Sequence, residues 1–332
     1  MSEYVLVTGG AGYIGSHVCR ALAASGRIPV SVDNLSTGNA WALQWGPFER
    51  GDVGDSEFLK AVFARYPVRA VMHLAGSALA GEGETQPLHY WRNNVSAGIT
   101  LLQAMAEANV RRIVFSSSCA LYGQPGRIPV DEDLPISPIS VYGRSKAAFE
   151  LVLADVAAQG AIDCVALRYF NAAGAAADSA IGEWHQPETH LIPNVLLAIR
   201  DATPVSVYGS DYDTPDGTCV RDYVHVEDIA GAHLAALGRI VNSSSGGGSL
   251  AVNIGSGQGF SVREVIQSCE RVSGRRAQVR DLPRRPGDPA RLFADSRRAH
   301  DLLGWTPRQL GLDQMVASAW HWLQFGAAVR SA

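Results

Sequence analysis

The chain has 332 residues, enough for one large domain and a smaller one, and its 47% hydrophobic and 18% charged content is ordinary for a globular protein. A net charge of -4 lends no support to a nucleic-acid or membrane partner, and no apolar run approaches the ~20 residues of a membrane span. The five cysteines (Cys19, Cys119, Cys164, Cys219 and Cys269) are odd in number, scattered and never spaced C-x-x-C. They read as reduced thiols of a cytoplasmic protein, so neither a disulfide frame nor a metal site is expected.

The apolar run Tyr4 to Val7 reads as a buried parallel strand, which leaves no room before it for a signal peptide. It feeds Thr8-Gly9-Gly10-Ala11-Gly12-Tyr13-Ile14-Gly15, and a helical pattern runs from Ile14 to Ala24. The glycines therefore occupy a strand-to-helix turn. Gly9 can take backbone angles closed to other residues, Gly12 lets the main chain approach a ligand, and Gly15 lets the helix press on the sheet. The amides of the helix's first turn then face a pyrophosphate. The spacing is G-x-x-G-x-x-G, not the commoner G-x-G-x-x-G. A second strand, Pro29 to Asp33, ends in a carboxylate about twenty residues on, where a dinucleotide site needs one. That acid accepts hydrogen bonds from a ribose and repels a 2′-phosphate, which selects NAD over NADP.

Asn34 to Gly38 is a polar turn. Asp52, beside Val53, either approaches the adenine or caps a helix from Ser56 to Arg65. Val68 to Leu74 is a further strand with Ala75-Gly76 at its end, and His73 within it reads as a hydrogen-bonded core residue. Pro87 to Asn109 has helical spacing, with Asn93 and Asn94 early in it. Arg112 to Phe115 is a strand opening into Ser116-Ser117-Ser118. A Pro-rich loop, Pro125 to Pro138, precedes a helix that starts with Tyr142-Gly143-Arg144-Ser145-Lys146 and ends at Ala158. Ile162 to Leu167 adds one more strand. This alternation predicts an α/β doubly wound parallel sheet of Rossmann type over residues 1–174.

Beyond Asn171 the loops lengthen. Helical patterns at Glu227–Leu237 and Ser261–Val272 flank a strand at Leu250–Ile254, and Ser243 to Ser249 reads as a flexible connector. A smaller α/β substrate lobe over 175–332 is expected, with parts of 222–256 returning to the first domain.

Tyr142 and Lys146 lie four apart on one helix face. A phenol titrates near ~10, too high for a base at neutral pH, but an adjacent ammonium and a positive nicotinamide ring favour the phenolate. Ser118 can bond the same substrate oxygen. The arrangement suits removal of an alcohol proton while the carbon gives up hydride.

At this point the motifs resemble the extended short-chain dehydrogenase/reductase family: T-G-G-A-G-Y-I-G-S-H at 8–17, Ser116–Ser118 with Tyr122-Gly123, and Y-G-R-S-K at 142–146. L-R-Y-F-N-A-A-G-A at 167–175, P-E-T-H-L-I-P at 187–193, D-G-T-C-V-R-D-Y-V-H-V at 216–226, R-R-P-G-D at 284–288 and L-G-W at 303–305 resemble the UDP-glucose 4-epimerase family within it. The resemblance implies an NAD-holding UDP-sugar 4-epimerase, usually a homodimer, in which Tyr142, Lys146 and Ser118 do the chemistry. It implies that Tyr13, Ile14, Asn34, Asp52, Val53, Leu74, Ala75, Asn93, Ser116 and Tyr169 join Gly9, Gly12, Gly15 and Asp33 around NAD, with Tyr142 and Lys146. It places Asn171, Arg221 and Arg285 near the UDP phosphates, Asp288 on the uridine ribose and Tyr208 near the uracil, with His190 and Leu191 also on the substrate.

Four positions depart from the family pattern. Ala78 stands where many members carry Lys, Cys119-Ala120 follow Ser118 where many hexose enzymes have Ala and Thr, and Leu292 stands where others have Tyr or a small residue. Arg284-Arg285 as a solvated pair, and Asp222 as the salt-bridge partner of Arg221, are the plainer readings of those residues. A 4,6-dehydratase is disfavoured because its acid pair after the strand-end hydroxyl is missing. Two rivals to a hexose epimerase stand beside it: a UDP-xylose/UDP-arabinose 4-epimerase, and a non-catalytic NAD-sensing module.

Overall fold

The computed structural model describes residues 3–242, 248–285 and 287–326. Its first strand, β1 (Tyr4–Thr8), is apolar on both faces, as a strand covered by helices on each side must be. Val5 and Val7 point to one helical layer and Leu6 to the other, the period-two alternation of a pleated strand. Around it lie β2 (Ile28–Asp33), β3 (Phe48–Arg50), β4 (Val68–His73), β5 (Arg112–Ser118) and β6 (Asp163–Tyr169). The edge strand that completes this sheet comes from far down the chain, at 248–254. From one edge to the other the order is β3-β2-β1-β4-β5-β6 and then that late strand, every pairing parallel. The chain leaves β1 in one direction and returns for β4 on its other side. The crevice between the ends of β1 and β4 is therefore the topological switch point.

One face of the sheet is covered by α1 (Tyr13–Ala24), which packs against a later helix at 226–241. The other carries α2 (Ser56–Arg65), then α3 (Ala80–Thr85) and α4 (Pro87–Trp91), then α5 (Ala97–Glu107) and α6 (Val141–Ala158). The helix expected over Pro87–Asn109 is thus not continuous: Arg92–Ser96, holding both asparagines, forms one π-helical turn between α4 and α5. Such turns splay side chains that an α-helix would keep stacked.

The remaining elements are β7 (Asn171–Ala173), α7 (Leu191–Asp201), β8 (Pro204–Tyr208), β9 (Val220–His225), α8 (Val226–Val241) and β10 (Gly248–Ile254). After them come β11 (Gly259–Ser261), α9 (Val262–Ser273), β12 (Gln278–Leu282), β13 (Arg291–Leu292), α10 (Arg297–Leu303) and α11 (Leu312–Phe325). α8 and β10 pack with the large sheet. β9 pairs with β7, β11 and β13, and β8 pairs with β12. α7, α9 and α11 close a separate core through Val195, Val265, Met315 and Trp320. The expected connector Ser243–Ser249 is shorter at its end: Gly248 and Ser249 already pair with Asp163 and Cys164, while 243–247 lie outside the described residues. Among the described residues no helix is long and apolar enough to cross a membrane.

His73 is a core residue, sharing a 2.8 Å hydrogen bond with Thr8 Oγ1 and stacked near Phe115 and Phe149. Burial pushes its imidazole down to about 3. Unfolded, the same ring protonates near ~6.5, so its contribution to stability is present above that pH and is lost as pH falls toward the native value. Urea unfolding at pH 6.5 and pH 4.5 should therefore lose stability faster in the wild type than in His73→Phe, by about 1.4 kcal/mol per pH unit. Equal slopes would show that the ring is not held neutral.

Candidate active site

The turn after β1 leaves room for an anion and for little else. Gly9 has φ +74°, and a Cβ there would come within 2.7 Å of the Ala75 nitrogen; one on Gly15 would meet the Gly9 carbonyl oxygen at 2.0 Å. Gly12 caps α1 without a side chain, and no acidic residue stands in the helix's first turn. Its amides are thus left for an external anion. Asp33, at the end of β2, is buried and accepts hydrogen bonds from the Ala11 and Leu35 amides at 3.0 and 2.8 Å. Burial raises its pKa, and those two bonds oppose the rise. This donor arrangement fits a dinucleotide: amides for the pyrophosphate, a fixed carboxylate for the ribose.

The neighbouring expected residues line the same crevice in different ways. Asn34 donates to Asp52 at 2.9 Å, and Asp52 accepts from the Gly54 amide at 2.7 Å. The cap of α2 is Asp55, not Asp52. Val53 is buried, whereas Ile14, Leu74 and Ala75 are half-buried where β1 and β4 end. The Tyr13 hydroxyl is already committed, donating to the Gly174 carbonyl at 2.6 Å and so tying α1 to the loop after β7.

On the far side of β4, α6 presents Tyr142 and Lys146. Ser140 starts that helix by accepting from the Gly143 amide, which fixes the phenol in the first turn. The Lys146 ammonium donates to the Ser116 carbonyl at 2.9 Å and lies 4.9 Å from the Phe115 ring centroid and 5.9 Å from that of Tyr142. Burial lowers it to about 8, partly offset by Glu150. Ser118 ends β5 and accepts from the Ala120 amide at 3.1 Å, and its hydroxyl lies close enough to the Tyr142 phenol to favour the phenolate. Ser116 bonds the Tyr169 hydroxyl. In the protein alone, burial pushes the Tyr142 phenol up to about 12, and the Ser118 hydroxyl opposes this. Cys119 is an inert buried thiol, pushed up to about 12.

Sequence reasoning assigns Asn94 no role. It is buried, accepts from the Ser77 amide at 2.7 Å, and donates to the Ser77 carbonyl at 3.0 Å and to Ser145 Oγ at 2.9 Å. It thereby clamps the loop after β4 to the catalytic helix. Asn93 donates to Ser77 Oγ at 2.9 Å. A one-residue π insertion has no sequence signature, so only the Asn-Asn pair hints at it.

A second group of expected residues converges in the C-terminal lobe because β13 pairs with β9 and sets Leu292 beside Arg221. Arg221 donates to Asp288 at 2.9 Å, and the Arg285 guanidinium stacks 3.9 Å from the Tyr208 ring centroid. Asn171 donates to the Asp222 carbonyl at 3.0 Å. Asp222 is not the partner of Arg221. It is buried, and its carboxylate accepts from the amides of Ser256, Gly257 and Ala294. Arg284 and Arg285 are both exposed, as a solvated pair would be, with Arg284 stacked on Tyr212 and bonded to Asp211. His190 turns its Nδ1 to Glu183, and Leu191 opens α7 behind it.

A phenol and an ammonium one helical turn apart, at the mouth of a doubly wound sheet with a glycine-rich turn, define the class: a short-chain dehydrogenase/reductase. Within that class the chain belongs to the NAD dependent epimerase/dehydratase family, whose sequence profile matches residues 5–255. It is 46% identical over 321 residues to the UDP-glucose 4-epimerase of Rhizobium leguminosarum bv. trifolii, covering 96% of this chain and 97% of that one. The UDP-glucose 4-epimerase of Brucella ovis, solved in complex with NAD, superposes with a TM-score of 0.93 at 45% identity, over 98% and 99% of the two chains. That of Stenotrophomonas maltophila, with bound NAD and formylated UDP-arabinopyranose, has a TM-score of 0.94 at 40% identity, over 99% and 100%.

Beneath the site, Arg168 of β6 forks onto Glu150 of α6 at 3.0 and 2.6 Å and donates to the Tyr122 hydroxyl at 2.9 Å, while Ser117 also bonds Glu150. Both charges are buried. Removing one partner leaves the other charge unpaired, so Arg168→Met should cost about 3–5 kcal/mol in urea unfolding. The double variant Arg168→Met/Glu150→Leu should recover most of it. A double variant as unstable as the single would refute the pairing argument.

Proposed function

We propose that this chain is an NAD-dependent UDP-glucose 4-epimerase, interconverting UDP-glucose and UDP-galactose. The observation that carries the reading is the placement of Tyr142 beside Ser118 and the buried Lys146, whose ammonium lies 5.9 Å from the Tyr142 ring centroid, at the switch point next to the glycine turn. The family and the near-full-length epimerase relatives support the same conclusion. Both Tyr142 and Lys146 are present, which speaks against a non-catalytic sensor.

The NAD would be held by Gly9, Gly12, Gly15 and Asp33. When bound, it would supply a positive nicotinamide charge that favours the phenolate and a reversible acceptor for the C4 hydride. Tyr142 takes the proton of the sugar 4-hydroxyl, with Ser118 bonded to the same oxygen, and gives it back once the 4-keto sugar has turned over. Lys146, still an ammonium at pH 7, stabilises the phenolate. Arg221 and Arg285 hold the UDP phosphates so that only the sugar turns, with Tyr208 and Asp288 at the nucleoside. The same reading carries a homodimer in the cytoplasm; the five cysteines, all free and buried, suit a reducing compartment.

A UDP-xylose/UDP-arabinose preference is the second reading. It is kept in view by Leu292, buried beside Arg221, which bounds the sugar pocket with a side chain of intermediate size. Purified protein given UDP-galactose or UDP-xylose, with no added cofactor, should epimerise the hexose faster; the reverse order would favour the pentose. Tyr142→Phe should retain NAD and lose at least roughly a hundredfold in turnover. Full activity in that variant rules out the phenol as base. Arg285→Ala should raise KM roughly tenfold or more with little change in kcat, through loss of a charge-assisted contact. An unchanged KM would remove Arg285 from the phosphate site.

A further inference from the structure

One cluster holds three residues to which the epimerase reading gives no role, Glu183, His185 and Glu188, beside His190, which the family resemblance puts at the substrate. Residues 183–190 read Glu-Trp-His-Gln-Pro-Glu-Thr-His. The loop folds so that one donor atom each from Glu183, His185, Glu188 and His190 lies within 4.8 Å of the other three. His185 Nδ1 is 3.4 Å from Glu183 Oε1 and 3.5 Å from Glu188 Oε1, and His190 Nδ1 is bonded to Glu183. Ligands about 2.0–2.1 Å from a tetrahedral centre stand about 3.4 Å apart, so the two His185 separations are those of neighbours in such a shell. His185 Nδ1 is buried and makes no hydrogen bond, although it faces both carboxylates. Those carboxylates are each 7% exposed, and among the described residues they form ion pairs with these two imidazoles and with no Lys or Arg.

We propose that Glu183, His185, Glu188 and His190 form a binding site for a divalent transition-metal cation of the zinc type. Two imidazoles and two carboxylates, without thiolate, suit zinc better than the all-oxygen shells of calcium and magnesium or the sulfur ligands of copper(I). One divalent ion neutralises both carboxylates, and its binding displaces the protons of the imidazoles that ligate it. The ligands are themselves positioned: Trp322 donates to the Glu183 carbonyl at 2.8 Å, and Glu188 Oε1 accepts from the amides of Thr189 and His190 at 2.7 and 3.0 Å. A cavity of about 240 Å³, walled by Trp184, Pro187, Pro193, Leu196 and Leu323, puts apolar surface against the cluster. The ion would pin this loop to the start of α7.

The test uses the full chain, stripped with a chelator and titrated with Zn2+ against a chromogenic chelator. Wild type should take up one equivalent and gain a higher thermal midpoint by mass action. His185→Gln/Glu188→Gln should lose more than roughly tenfold in affinity together with the midpoint gain. X-ray absorption of the zinc-loaded wild type should show two imidazole nitrogens at about 2.0–2.1 Å, a readout that stands even if the variant fails to fold. Zinc uptake no tighter than in the folded variant, no uptake at all, or a shell without two imidazoles would overturn the proposal.

Discussion

Burial of a phenol and an ammonium in one small volume is the constraint on which the rest of this structure depends. The protein by itself drives both groups toward neutrality, lifting Tyr142 to about 12 and lowering Lys146 to about 8, and in each case desolvation is the leading cause. Such a pair is an unpromising base in isolation. It becomes one where a further positive charge arrives, because in low-dielectric surroundings a cation acts far more strongly on the phenolate than it would in water. The fold supplies the fixed geometry this requires. Ser116 anchors the ammonium, Ser118 stands beside the phenol, and Asn94 joins the loop after β4 to α6. Base strength then follows cofactor binding, so the proton is not taken before a hydride acceptor is in place.

What is legible in the sequence is what the chain does locally. A buried strand announces itself by a run of apolar residues, and Gly9, Gly12 and Gly15 announce a turn where a Cβ on Gly9 or Gly15 would collide with backbone. The Rossmann-type sheet and the Tyr142–Lys146 face follow from such patterns. What stays hidden depends on pairing across distance. β3 is three residues long, with only Phe48 apolar, and exists because Ser31 to Asp33 offer it an edge. Asp222 gives no sign of its task, since Ser256, Gly257 and Ala294 come to it from other segments. Nor does the sequence mark the π turn at Asn93 and Asn94. The metal-type donor set escapes for a different reason. Cysteine spacing is the readable signal of a metal site, and His185 and Glu188 sit without cysteines in a loop that first stands out for its family resemblance.

The nucleotide half of the cleft is built differently from the catalytic half. Arg221 and Arg285 are already engaged, one with Asp288 and the other on the face of Tyr208. These contacts cost part of the charge available to a ligand. They also remove side-chain freedom that would otherwise be lost on binding, which is how pre-organisation gains affinity. A guanidinium stacked on an aromatic ring keeps its in-plane donors directed outward, a geometry suited to phosphate oxygens and unavailable to lysine.

That division of labour follows from the reaction. A hydride that leaves one face of C4 and returns to the other requires the sugar to turn over between the two steps. Tight contacts all round the hexose would stabilise one epimer and stall the exchange, since binding energy spent equally on ground state and transition state does not speed the chemistry. Grip on the phosphates and nucleoside escapes this conflict because those groups need not move. On the proposed reading the residues sort by what moves: charged and stacked side chains of the C-terminal lobe would hold the stationary half, and the hydroxyls of Ser118 and Tyr142 would face the turning half, able to bond the same oxygen in either orientation. Leu292, apolar and paired in register with Arg221, stands at the border between the two. Its volume is then set by the arc the sugar must sweep, so the choice between hexose and pentose becomes a question of room to turn and not of recognition.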